Sequence, residues 1–159
     1  MEMKRKLLLM MTLCALLLLG CQSNAERYGE PLIFTTGTTT GVFYSLGGGL
    51  ATLWTKEMGK RVASQASNGS VENLKLMSKG EANIGFTTVN IAYEAYNGEG
   101  AFKDKPYDDV RILANLYPNV SHIVVMNKNS IQSIEDLKGK SFVFGAAGSA
   151  TEVESKLVL

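Results

Sequence analysis

Three segments of the sequence place glycines and small hydroxyl residues between a β-favouring run and a helical pattern. They are Thr35-Thr36-Gly37-Thr38-Thr39-Thr40-Gly41, Ser67-Asn68-Gly69-Ser70 and Gly145-Ala146-Ala147-Gly148-Ser149-Ala150-Thr151. A helix leaves its first four N–H groups unpaired and carries roughly half a positive charge at that end. Glycine lets a ligand approach the backbone, and Ser/Thr hydroxyls add donors, so such a place binds carboxylate or phosphate without a formal cation. Taken singly, each segment is explained by ordinary helix capping. Three of them at the carboxyl ends of strands in one sheet point to a ligand, because open α/β sheets bind there.

The nucleotide versions of this design fail on spacing. A Walker loop needs Gly-Lys-Ser/Thr, but Gly41 is followed by Val42; a dinucleotide loop needs G-x-G-x-x-G, and only Gly37 and Gly41 precede the helix. No catalytic constellation emerges either. The sole histidine, His122, lies beside an expected strand with no nucleophile motif around it, and reads as a hydrogen-bonded strand-edge residue. One histidine and two cysteines leave little for a zinc site, so neither metal nor cofactor is expected. Glu94 and Glu99 read as solvated charges, and Arg61 and Arg111 as solvent-facing residues at strand starts. The pattern is that of a binder, not an enzyme.

The elements that must position these segments alternate. Leu32–Thr36 reads as a strand, followed by a helix with Phe43, Leu46, Leu50 and Leu53 on one face. Gly47-Gly48-Gly49 inside it costs about 1 kcal/mol per glycine relative to alanine, explained either by close packing or by a break. A strand over Arg61–Ser67 leads to a helix capped by Ser70, running through Lys79 and stopped at Gly80. A third strand, Ile84–Thr88, leads to a helix near Val89–Tyr96. Further strands are expected at Ile112–Leu116, Ile123–Met126 and Ser141–Phe144, with a short helix from Ser133 and a last helix still running at Leu159. Strand–helix repetition predicts an α/β fold with a parallel-rich sheet and helices on both faces.

Composition fits this reading. The chain has 159 residues, enough for about one domain, and is 45% hydrophobic, so it can build a core. A net charge of +1 argues against nucleic acid as partner. Lys4-Arg5-Lys6 precedes a 13-residue apolar run, Leu7–Leu19, too short for the ~20 residues of a membrane span. This reads as a secretory signal peptide over residues 1–20, the plain alternative being a buried helix. Its removal takes three basic and one acidic residue, leaving 13 against 14 and a net charge of −1. Cys14 leaves too, so Cys21 remains as the only cysteine and no internal disulfide can form. Residues 21–31 read as a polar tether.

Leu18-Leu19-Gly20-Cys21 resembles the lipobox of bacterial lipoproteins, in which the cysteine is lipidated and becomes the mature N-terminus. Two acyl signals anchor a chain stably. Together with Gly41-Val42-Phe43-Tyr44-Ser45-Leu46-Gly47-Gly48, Ala66-Ser67-Asn68-Gly69-Ser70-Val71-Glu72-Asn73-Leu74 and Gly145-Ala146-Ala147-Gly148-Ser149-Ala150-Thr151-Glu152, this closely resembles the TAXI-type solute receptors of tripartite ATP-independent periplasmic (TRAP) transporters. Ser133-Ile134-Glu135-Asp136-Leu137-Lys138-Gly139-Lys140 is similar to a stretch shared by many periplasmic-binding-type proteins. The resemblance covers nearly all of residues 32–159.

What the resemblance implies is a two-lobed, type II periplasmic-binding fold. It closes on a small carboxylate, an acidic amino acid such as glutamate or a related organic acid, and delivers it to the permease subunits of a sodium-coupled transporter. Position by position it implies contacts from Thr36, Gly37, Thr38, Gly41 and Tyr44, from Ser70 and Asn73, from Thr88, and from Ser149, Ala150 and Thr151. Tyr44 would meet an amino group or simply wall the pocket. Ala150 stands where the family often has glycine. Family members are roughly twice as long, so the expectation is a first lobe over 32–118 and only the start of a second over 119–159. The readings left beside it are a receptor for an ABC-type importer, an extracytoplasmic enzyme, and a truncated, non-binding surface lipoprotein.

Overall fold

The computed structural model describes residues 29–127 and 130–159. The signal peptide, Cys14, the lipobox with Cys21 and most of the tether lie outside the described residues. Within them, three strands and four α-helices follow in order: β1 (Leu32–Thr35), α1 (Val42–Met58), β2 (Val62–Gln65), α2 (Ser70–Ser78), β3 (Ile84–Gly85), α3 (Val89–Asn97) and α4 (Ala150–Val158). Short 3₁₀ turns occupy Gly100–Phe102 and Glu135–Leu137.

The sheet is parallel, in the order β2-β1-β3, with Leu32 opposite Val62 and Phe34 opposite Ile84. Alternation along β1 sorts its side chains between two cores. Phe34 stacks on Trp54 at 5.1 Å and packs on Phe86 at 4.9 Å, beneath α1. The next residue, Thr35, faces the other way, towards Asn73 and Met77 of α2 around Gly85. The second core joins α2, α3 and α4 through Val71, Leu74, Ile91, Ala95, Phe102 and Ala150. Helices therefore cover both faces, as the strand–helix alternation predicts.

Helix α1 runs unbroken through its three glycines. Gly47 supplies the reason: a Cβ there would overlap Thr36 Cγ2 and stand 3.2 Å from the Phe86 ring. Gly48 and Gly49 have open space, so packing accounts for one glycine of the three. The expected apolar face is corrected at its far end. Leu53 is half-exposed, while Ala51 is buried and Trp54 packs partly buried against the core, because a 3.6-residue period carries the Phe43–Gly47–Leu50 line to residue 54.

Other expectations are also corrected. Helix α2 is capped by Gly69, not by Ser70, which is its first residue. It ends at Ser78, one residue before the expected Lys79. Strand β3 stops at Gly85: Phe86 N–H still donates to Thr35 O at 3.1 Å, but the Phe86 carbonyl is taken by the Asn73 side chain instead of β1. The expected strands at Ile112–Leu116, Ile123–Met126 and Ser141–Phe144 are not formed. A strand needs a neighbouring edge for its backbone groups, and these segments run without one, with Leu113, Val124 and Val143 mostly exposed. The helix expected from Ser133 is a single 3₁₀ turn, and α4 ends at Val158.

Candidate functional site

Because the strands are parallel, their carboxyl ends share one edge of the sheet, and each is followed there by a helix start. Residues after β1 are tightly held. Thr36 is fully buried, its Oγ1 donating to the Gln65 carbonyl at 2.8 Å, and the Gly37 carbonyl accepts from Ser67 N–H at 3.1 Å. The chain then turns, with Gly41 N–H donating to Thr38 O at 2.8 Å. Gly41 caps α1 without a side chain, so no side-chain acceptor takes the first-turn amides. Thr38 and Thr39 are exposed beside them, and Tyr44 is 38% exposed.

The second start is held from behind by Asn73. Its Nδ2 donates to both Thr36 O and Phe86 O at 2.7 Å, and its Oδ1 accepts from Ser67 Oγ at 2.6 Å. One fully buried side chain thus fastens the ends of all three strands together. Ser70 is equally buried, and its Oγ accepts from Thr88 N–H at 3.1 Å. The polar atoms of Thr36 and Asn73 are thereby committed to the protein.

At the third start, Thr88 caps α3 in an extended conformation without a side-chain hydrogen bond. Its Oγ1 is buried and, among the described residues, has no partner. Such an orphan is uncommon in folded proteins. The fourth start is α4, where Ser149 Oγ accepts from Glu152 N–H at 3.0 Å. Ala150 is buried in the second core, while Thr151 is exposed beside Gly145.

The structure brings the second and fourth starts into contact. A Cβ on Gly69 would lie 3.5 Å from that of Ser149, and the Gly148 carbonyl accepts from the amides of Val71 and Glu72 at 3.1 and 3.2 Å. The first and third starts follow neighbouring strands, and Phe43 stacks on Phe86 at 4.9 Å between them. Thr38, Tyr44 and Thr151 remain at the exposed rim. Two open depressions, of about 700 and 520 Å³, lie elsewhere, against Lys56, Arg61 and Ser64 and against Ile134, Phe142 and Phe144. Neither is lined by a residue of the four starts.

A profile of the NMT1-like family matches residues 34–159, from within β1 through α4. The chain belongs to the NMT1-like family. This is a family of periplasmic solute-binding proteins related to the receptors of TRAP and ABC transporters. The match spans all four helix starts, and membership gives the chain an extracytoplasmic solute-binding role. Among the described residues no helix is long and apolar enough to cross a membrane.

Sequence reasoning missed the pairing of α2 with α4. Two glutamates brace the turns that meet there: Glu72 Oε2 accepts from Asn68 N–H and Glu152 Oε2 from Gly148 N–H, each at 2.8 Å and each from a donor four residues upstream. Ser149-x-x-Glu152 has the pattern of a capping box, which signals the local start of α4 but not its contact with α2. Glu94, read as solvated, is half-buried with its Oε2 against Gly100. Glu99, His122, Arg61 and Arg111 are exposed.

Proposed function

We propose that this NMT1-like protein is the TAXI-type receptor of a TRAP transporter, anchored by lipid on Cys21, and that it captures a small carboxylate such as glutamate or a related organic acid. In this reading residues 32–118 form the first lobe and 119–159 belong to the second. The observation that carries it is the set of four helix starts, three on one sheet edge and that of α4 packed against the start of α2. Two of them, α2 and α4, engage each other. The other two, α1 and α3, have no side-chain cap, and the unpartnered Thr88 hydroxyl sits at the second of these.

The acid group is therefore assigned to the first-turn amides of α1 (Val42–Tyr44) and α3 (Val89–Ile91), with Thr88 Oγ1 and Thr38 as hydroxyl donors. Gly41 gives access to the backbone, and Tyr44 walls the rim. Ser149, Ala150 and Thr151 border the site from α4. Thr36 and Asn73 support it from behind with their side-chain polar atoms engaged, and Gly37 and Ser70 stand with them, the Gly37 carbonyl and Ser70 Oγ already accepting bonds.

Calorimetric titration with L-glutamate, L-glutamine and succinate tests the reading, with folding confirmed by circular dichroism. Saturable heat for at least one acid is expected; none for any of the three contradicts it. An acyl mass on the N-terminal cysteine, lost in Cys21→Ser, tests the anchor. A TRAP-type permease gene beside this one, instead of an ATPase gene, separates the TRAP from the ABC assignment.

A further inference from the structure

The bond between the α2 and α4 starts depends on how one peptide is turned. Gly148 has φ +83°, a left-handed conformation that favours glycine. This orientation directs its carbonyl onto Val71 and Glu72 N–H, while its own N–H is held by Glu152 Oε2 at 2.8 Å. The other Glu152 oxygen accepts from Lys156 Nζ at 2.7 Å, and the Glu152 N–H is fixed by Ser149 Oγ. Both sides of the Gly148 residue are thus pinned. We propose that Glu152 is a positioning residue for the carboxylate-binding edge: acting through Gly148, it clasps α4 to α2 and fixes Ser149 beside Gly69, at the start of α2.

This role rests on the receptor reading above. Glu152 does not contact the ligand; it spends one oxygen on the backbone and one on Lys156. Its loss frees Gly148 to rotate, loosens the α4 border of the site and lets a bound acid leave sooner. Glu72, which holds Asn68 N–H in the same way, steadies the facing side of the clasp.

The test compares the full chain with Glu152→Ala and Glu152→Gln. Without ligand, amide hydrogen exchange in Glu152→Ala is expected to quicken about tenfold at Val71 and Glu72, while Asn73 N–H, bonded to Gly69 O, keeps its rate. With L-glutamate, the off-rate rises severalfold and the on-rate stays within about twofold. Glu152→Gln retains an oxygen acceptor for Gly148 N–H and is expected to restore both. Unchanged exchange at Val71 and Glu72 in Glu152→Ala overturns the proposal, as does a Gln variant as impaired as Ala, or quicker exchange with unaltered release of glutamate. In those cases binding by the unmodified chain leaves the receptor reading standing. Absence of binding by the unmodified chain overturns that reading and the positioning role with it.

Discussion

The Nδ2 of Asn73 donates to the Thr36 carbonyl across 2.7 Å, joining the start of α2 to the end of β1. The same nitrogen reaches the Phe86 carbonyl after β3, and Ser67 closes the set from the β2 side. The two bonds from Nδ2 are buried, where a polar group left without a partner costs about 1–3 kcal/mol. The edge that presents the helix starts is thus held by a side chain at its centre.

Asn73→Leu removes the donor while keeping the volume, and strands the Thr36 and Phe86 carbonyls. It is expected to lose about 3 kcal/mol of stability, read in urea as a lower midpoint at unchanged slope. A loss below about 1 kcal/mol would show that water replaces the amide and that the clip is dispensable.

Two glycines of one helix are expected to respond with opposite signs. Gly47→Ala drives a methyl into Thr36 and towards Phe86, and is expected to destabilise by about 1–3 kcal/mol. Gly49→Ala meets open space on an exposed face and is expected to stabilise by about 0.5–1 kcal/mol. Thermal unfolding of both variants checks this; the same sign for both would mean that α1 does not pack as described.

Acid is expected to release the clasp between α2 and α4. The Lys156 ammonium, and after it the Gly148 N–H, hold the Glu152 carboxyl below its ordinary value of 4.5. The N–H groups of Gln132 and Ser133 likewise hold the Asp136 carboxyl below 3.8. In both cases the folded chain favours the ionised form. The stabilisation is therefore complete above the unfolded value and lost as pH falls through the lower, folded value. Carboxyl carbon shifts of Glu152, followed with the Val71 and Glu72 amides, are expected to change together below pH 4.5. Separate midpoints, or release of the amides above that pH, would contradict the link.

Much of this edge was legible in the sequence, and the reasons are local. Gly/Thr and Gly/Ser clusters after apolar runs mark strand-to-helix turns, and the alternation fixed the parallel sheet. The face of α1 drifted because Leu53 and Trp54 are adjacent apolar residues, and only the helical period selects the second. Ile112–Leu116 and Val143 have strand composition but no neighbouring edge, which no local pattern reveals. The fate of Asn73 was hidden for a related reason. Its partners lie 37 and 13 residues away and come together only in the folded sheet.

The proposed carboxylate site lies where α1 and α3 begin. Its most direct test is an amide shift map of the chain titrated with L-glutamate and with succinate. The largest saturable shifts are expected at Val42–Tyr44 and Thr88–Ile91, with smaller ones at Ser149–Thr151. Shifts gathered instead around Lys56, Arg61 and Ser64, or none at any concentration of either acid, would contradict it.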